Sequence, residues 1–207
     1  MSQYFQIHSV NPQGRLIHQA VEIIKSGGVI AYPTDSAYAL GCHIGDKKAL
    51  DRLRQIRRLD NQHNFTLVCR DLSEVSVYAK VSNYAYRYLN SHTPGAYTFI
   101  LEATREVPKR LMHPKRRTIG LRVPQNAIVS ALLAELNEPL MSTTLILPGE
   151  DMPMTDADEI RGALERQLEL VIDGGHCGAE ATTVVDLTED DAKITRKGKG
   201  ETGPFEV

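Results

Sequence analysis

A helical stripe, a pair of glycines and a short apolar run follow one another without a gap near the start of this chain, and few folds accept that order. Leu16, Ala20, Ile23 and Ile24, with Val21 beside them, recur at helix spacing. Asn11-Pro12 predicts the start of this helix, with Asn as N-cap and Pro at the first helical position. Gly27-Gly28 ends it, because glycine takes the left-handed conformation after a helix at no steric cost. Val29 to Tyr32 then predicts a buried strand that stops at Pro33, and the turn-rich Thr34-Asp35-Ser36 follows.

The alternation continues to the far end. Asp46 caps a helix whose apolar positions are Ala49, Leu50, Leu53 and Ile56. Phe65 to Cys69 is a strand, and Ser82 caps a helix through Tyr88 and Leu89. Tyr97 to Ala103 and Thr118 to Val123 are strands, Asn126 opens a helix to Leu136, and Leu140 to Leu145 is a strand. Thr155 to Gln167 reads as an amphipathic helix with a Thr cap and Asp158 three residues on. Leu170 to Ile172, Thr183 to Leu187 and Lys193 to Arg196 close the series. This order predicts an α/β fold. The last strands sit too close together for crossover helices, so the sheet is expected to be mixed. A chain of 207 residues with no linker or repeat is read as one domain, 1–207.

Composition narrows the setting. Apolar residues at 42% and charged ones at 24% exclude disorder and coiled coil. No apolar run approaches the roughly 18 residues of a membrane helix, and Met1 to His8 lacks the pattern of a signal peptide. Cys42, Cys69 and Cys177 are odd in number and far apart, which predicts a reducing, cytoplasmic setting. There is no GxxxxGK[ST] loop, no GxGxxG after a strand and no HExxH, so neither common nucleotide fold nor a metal site is signalled. Cys69 reads as a buried strand cysteine rather than a nucleophile.

Charge is the informative quantity. Between Lys47 and Arg58 stand six basic residues (Lys47, Lys48, Arg52, Arg54, Arg57, Arg58) against Asp51 alone. Between Arg105 and Arg122 stand Arg105, Lys109, Arg110, Lys115, Arg116, Arg117 and Arg122, with His113, against Glu106 alone. The acids gather later, from Glu150 to Glu169 and from Asp186 to Asp191. Either one face is positive and suits a phosphate-bearing ligand, or both stretches are solvated surfaces.

Four segments carry a resemblance. They are Gly27-Gly-Val-Ile-Ala-Tyr-Pro-Thr-Asp-Ser-Ala-Tyr-Ala-Leu-Gly41, Thr93-Pro-Gly-Ala-Tyr-Thr-Phe-Ile-Leu101, Thr118-Ile-Gly-Leu-Arg-Val-Pro124 and Thr182-Thr-Val-Val-Asp-Leu187. In order and spacing they resemble the YrdC-like family of threonylcarbamoyl-AMP synthases, across nearly the whole chain. His63-Asn-Phe-Thr-Leu-Val68 and Lys115-Arg-Arg-Thr-Ile-Gly120 are most similar to the YciO branch. The resemblance implies a twisted open mixed sheet around a basic concave surface. It implies ATP, L-threonine and bicarbonate as substrates, ATP arriving with Mg2+, no tightly bound cofactor, and tRNA or double-stranded RNA as a partner.

Residue by residue, the resemblance implies that Thr34 contacts the amino acid, Thr118 the nucleotide, Arg122 a carboxylate, Thr182 the substrate and Arg196 the adenylate phosphate. Ser142 and Thr144 match the hydroxyls of one strand end. Bland roles stand beside these: a turn bond for Thr34, ion pairs for Arg122 and Arg196. Arg54, Arg58, Lys47, Lys48, Lys115, Arg116 and Arg117 are the expected RNA contacts. Two departures stand out. The synthases' KxR pair reads Arg57-Arg58-Leu59, and their SxN pair reads Thr144-Leu145-Ile146, so one cation and one amide are replaced by aliphatic side chains. A family histidine matches Cys69. Three functions therefore compete: an enzyme on threonylcarbamoyl-adenylate, as weak synthase or as hydrolase; a non-catalytic RNA binder; and a regulatory nucleotide binder.

Overall fold

The computed structural model describes residues 1–60 and 63–205. In chain order the elements are β1 (Gln3–Gln6), α1 (Gly14–Lys25), β2 (Ile30–Tyr32), β3 (Ala39–His43), α2 (Lys47–Arg57), β4 (Thr66–Val68), α3 (Leu72–Tyr78), α4 (Asn83–His92), β5 (Tyr97–Glu102), β6 (Thr118–Arg122), α5 (Ala127–Leu136), β7 (Leu140–Thr144), α6 (Ala157–Leu164), β8 (Leu170–Asp173), β9 (Thr183–Asp186) and β10 (Lys193–Arg196). The strands form one sheet in the order β1-β8-β2-β3-β7-β4-β6-β5-β9-β10. Pairs β1–β8, β8–β2, β4–β6 and β5–β9 are parallel, and the others are antiparallel. The expected mixed α/β sheet is therefore what the chain builds. Among the described residues no helix is long and apolar enough to cross a membrane.

Strand alternation divides the core. Ile30, Tyr32, Leu170 and Ile172 pack with α1 and α5, together with Val68 and Leu140. Their neighbours Ala31, Leu67, Met141 and Val171 point to the opposite face and pack with α2, α4 and α6. The N-caps read from sequence at Asp46, Ser82 and Asn126 hold, each accepting the backbone N–H three residues on.

Two helix starts differ from expectation. α1 begins at Gly14, after Gln13, rather than at Asn11-Pro12. The His8 ring accepts the N–H groups of Val10 and Asn11, and Gln13 accepts that of His8, so a local turn claims the residues that would have capped the helix. Its buried stripe is Ile17, Ala20, Val21 and Ile24, with Leu16 and Ile23 only half-buried. α6 starts one residue later than the Thr cap implies, because Asp156 accepts the N–H groups of both Asp158 and Glu159, and it ends at Leu164. Three elements escaped the sequence reading: β1, β3 and α3.

Candidate functional site

One face of the sheet explains the site. On β7, Leu140 turns into the apolar cluster under α5, while Ser142 and Thr144, two and four residues on, turn into a cavity. On β4, Val68 joins the same apolar cluster and Thr66 lines the cavity. Strand register sets Ser142 opposite Thr66, Thr66 opposite Gly120, and Gly120 opposite Ile100. The cavity thus occupies the face that α1 and α5 leave uncovered. A Cβ on Gly120 would lie 3.0 Å from Thr66 Oγ1 and 3.2 Å from a methyl of Thr98, so glycine keeps the floor open.

The cavity holds about 450 Å3, within the range of small-molecule and cofactor sites. Hydroxyl side chains dominate its wall: Ser36, Thr66, Thr98, Thr118, Ser142, Thr143, Thr144, Thr182 and Thr195. Four arginines reach it, Arg57, Arg116, Arg122 and Arg196. Among the described lining residues there is no carboxylate. Both basic stretches of the sequence meet here, Arg57 from the first and Arg116 and Arg122 from the second. Arg110 ties the two together by donating to the Gly45 carbonyl at 2.6 Å.

Each guanidinium is held differently. Arg122 pairs with Asp35, both about nine-tenths buried, and donates to Ser36 Oγ at 3.3 Å. Arg116 pairs with Asp186 at 2.7 Å. Arg57 donates to the Ile146 carbonyl, and Arg196 to the Thr182 carbonyl at 2.8 and 3.1 Å. Neither Arg57 nor Arg196 has a carboxylate partner among the described residues. Burial pushes the pKa of each down, and for Arg196 the Arg122 charge adds to it. The Nε atoms of Arg57 and Arg122 are buried and unpartnered among the described residues. Concentrated positive charge with unmet donors, partly withdrawn from water, favours an anion.

Of the residues the sequence singled out, Arg57, Thr118, Arg122, Ser142, Thr144, Thr182 and Arg196 all line this one cavity. Thr34 does not. Its hydroxyl donates to Ala37 O at 2.6 Å and accepts the N–H groups of Ser36 and Ala37, closing the turn that presents Ser36 to the cavity. Ser142 also spends its donor inward, on Leu40 O at 3.1 Å, while accepting from Tyr32, whose hydroxyl pKa burial pushes up to about 12. Thr182 bonds Thr98 at 2.8 Å and Arg196 at 3.1 Å.

The departures fall at the site too. Ile146 lines the cavity, and its carbonyl holds Arg57. Leu59 instead packs against the core, as Cys69 does within it, its thiol pushed well up by burial. Sequence reading missed Ser36, Thr66, Thr98, Thr143, Thr195 and His63 as lining residues. His63 Nε2 lies 3.1 Å from Thr143 Oγ1, and its ring stands edge-on to Phe65 at 5.2 Å. Burial, then the Arg57 charge, lowers its pKa. Thr98 was findable, since it alternates with the apolar Phe99 as Thr66 does with Leu67.

The remaining basic residues lie outside the cavity. Lys47, Lys48, Arg58, Lys115 and Arg117 are exposed, whereas Arg54 is half-buried with its guanidinium 5.3 Å over the Phe65 ring. Arg52 pairs with Glu169 at 2.6 Å. No group of three or more His, Cys, Asp or Glu side chains among the described residues is arranged to hold a metal.

Residues 22–198 match the Sua5/YciO/YrdC family, which carries the label telomere recombination. An uncharacterized protein of Haemophilus influenzae is 60% identical over 99% of this chain and its own full length. The uncharacterized protein YciO of Escherichia coli K12 is 56% identical over 99% of this chain and all of its own. The crystal structure of E. coli YciO superimposes with a TM-score of 0.96, covering 99% of this chain and 100% of that one. P. abyssi Sua5, solved in complex with L-threonine, shares the fold at a TM-score of 0.87 and 23% identity, over 95% of this chain and 58% of its own.

Proposed function

The chain belongs to the Sua5/YciO/YrdC family, and from that premise we propose that its cavity binds a nucleotide as an adenylate-type anion, either ATP or an acyl-adenylate. One observation carries the reading: four guanidinium groups converge on a hydroxyl-lined cavity whose described wall contains no carboxylate. Arg57 and Arg196 are the phosphate contacts in this reading, because no acid competes for them among the described residues. Arg122 is already neutralised by Asp35, so a carboxylate ligand there must displace a buried one. With no acid in the described wall to hold a resident metal, Mg2+ enters with the triphosphate it accompanies.

L-threonine and bicarbonate are the co-substrates in the synthase form of this reading, supported by the threonine complex of the Sua5 relative. Ile146 and Leu59 weaken that form, since neither side chain can hold a phosphate or carboxylate. A hydrogen bond to a charged group contributes about 1.5–3 kcal/mol. The test is calorimetric titration with AMP and with Mg-ATP at low salt, on the wild type and on Arg57→Ala and Arg196→Ala. Each substitution is expected to weaken binding about ten- to a hundredfold. Affinity untouched by both, or no binding at all, overturns the reading. Pyrophosphate release from ATP, threonine and bicarbonate then decides whether synthesis persists.

A second reading, RNA binding, is favoured by the exposed Lys47, Lys48, Lys115 and Arg117, none ion-paired among the described residues and all on the two segments that Arg110 joins. Such a surface recognises duplex RNA or tRNA by backbone and shape.

A further inference from the structure

We propose that the cavity hydrolyses mixed acyl-phosphate anhydrides of the adenylate type, with His63 as the general base that deprotonates the attacking water. The proposal rests on the anion-binding reading above and adds a reaction to it. The described wall of the cavity contains no Asp, Glu, Cys, Lys or Tyr. Imidazoles are therefore the groups in it able to accept a proton near neutral pH, and two are present, His63 and His113. They are not equivalent. His113 Nδ1 accepts the N–H groups of Lys115 and Arg116 at 3.3 and 3.1 Å, so that lone pair already closes a turn. The His63 ring is fixed instead through Nε2, by Thr143 Oγ1 at 3.1 Å, and its Nδ1 has no hydrogen-bond partner among the described residues. In the tautomer that donates Nε2–H to Thr143, Nδ1 carries the lone pair that this proposal uses.

The surroundings of His63 match this task. Burial lowers its pKa most; Arg57, then Arg54 and Arg196, add to that, and Asp60 opposes them. Arg57 and Arg196 are the proposed phosphate contacts, so a phosphoryl group held between them sits beside the imidazole. Burial and these charges together favour the neutral ring. A bound anion offsets the charges and raises the pKa from its lowered position, toward the range where a base works near neutral pH.

The chemistry balances with the groups present. Water oxygen forms a bond to phosphorus while its proton passes to His63 Nδ1. The bond from phosphorus to the acyl oxygen breaks, and the acyl group departs as a carboxylate or carbamate with that electron pair. The imidazolium then returns its proton to solvent, leaving AMP. A carboxylate leaving group needs no protonation, so one base and cations that stabilise the phosphoryl oxygens suffice. No second carboxyl is called for, and the described wall offers none.

Acetyl-adenylate is a direct probe, with AMP release followed against the spontaneous rate. The wild type is expected to accelerate it, and His63→Gln to lower kcat about 10²–10⁴-fold while AMP affinity stays within a few-fold. In water enriched in ¹⁸O the label is expected in AMP. The wild-type pH profile tests the assignment without any variant: kcat/KM should fall as pH drops through the lowered pKa of His63, with that limb missing from His63→Gln. AMP binding without acceleration, a His63→Gln rate equal to wild type, an acid limb that survives the substitution, or label in the acetate would each overturn this proposal while leaving nucleotide binding intact. Absence of AMP binding would instead remove the reading beneath it.

Discussion

Replacing Asp35 by Asn isolates the counter-ion of Arg122 and separates a structural ion pair from a ligand anchor. The two side chains are 11% and 9% exposed, so neither is screened by bulk water. Asp35 also accepts the Gln125 N–H at 2.8 Å through its other oxygen. An Asn can keep that bond with its carbonyl, but it then turns an NH2 group toward a guanidinium, donor against donor. The Arg122 guanidinium is left buried and without its acid, with Ser36 Oγ at 3.3 Å as its remaining side-chain hydrogen bond among the described residues. Removing one partner of a buried pair costs about 3–5 kcal/mol. For a chain of this size each kcal/mol moves the melting temperature by about 2–4 °C, so the variant should melt about 6–20 °C lower. The same change frees a cation in the cavity wall. An anion that reaches Arg122 gains a charged hydrogen bond of about 1.5–3 kcal/mol, and AMP affinity should rise about ten- to a hundredfold. Ligand stabilises the folded state according to its concentration over Kd, so AMP should raise the melting temperature of Asp35→Asn more than that of the wild type. Scanning calorimetry with and without AMP reads both effects. If the variant melts with the wild type and AMP shifts the two equally, Asp35 is not what holds Arg122, and the charge balance described for the cavity is wrong.

Phe205 supplies a second lever. Its ring is buried against His92 at 4.7 Å, Tyr88 at 5.3 Å and Tyr97 at 5.7 Å, and it pins the segment that follows Arg196. Truncating a buried Phe to Ala costs about 3–5 kcal/mol. In Phe205→Ala, tryptic cleavage at Lys197 and Lys199 should therefore speed up, and AMP affinity should fall as Arg196 loses its fixed position; unchanged cleavage and affinity would refute the coupling. The RNA reading predicts that Lys47, Lys48, Lys115 and Arg117 changed together to Ala weaken binding to duplex RNA and flatten its dependence on log salt, by about one unit of slope for each phosphate no longer neutralised. Binding indifferent to the four changes rejects that surface. None of the four lines the cavity, so the result does not depend on nucleotide binding.

How far the sequence could be read follows from how local each signal is. The caps at Asp46, Ser82 and Asn126 were legible because an N-cap bond spans three residues and needs no tertiary partner. β3 was not, because Ala39, Gly41 and Cys42 carry little strand preference and are held by β2 and β7, the latter about a hundred residues away. α3 had a signal that went unread: Asp71 and Glu74 stand at capping-box spacing, Asp71 accepting the Glu74 N–H and Glu74 the Arg70 N–H. The site was half legible. Motif order named Arg57, Arg122 and Arg196, which converge, but no local pattern tells that Thr34 spends its hydroxyl on its own turn, or that a distant Thr143 orients His63.

What separates cavity from core is the rhythm of the strands. β2 and β8 are apolar at nearly every position, because helices cover both of their faces. Across β4, β5, β6 and β7 the apolar Leu67, Phe99, Leu121 and Met141 alternate with Thr66, Thr98, Thr118 and Ser142, so one face is core and the other is hydroxyl. Water alone could wet such a face, and then its composition would be free to include acids. Instead its described wall excludes every carboxylate while admitting four arginines, two of which meet only backbone carbonyls and side-chain hydroxyls among the described residues. Burial lowers the pKa of Arg57 and Arg196, and the Arg122 charge adds to it at Arg196, so an anion beside these two would be stabilising. The ligand-binding reading therefore stands on an energetic imbalance within the fold, and it predicts the sign of the ligand's charge before its identity.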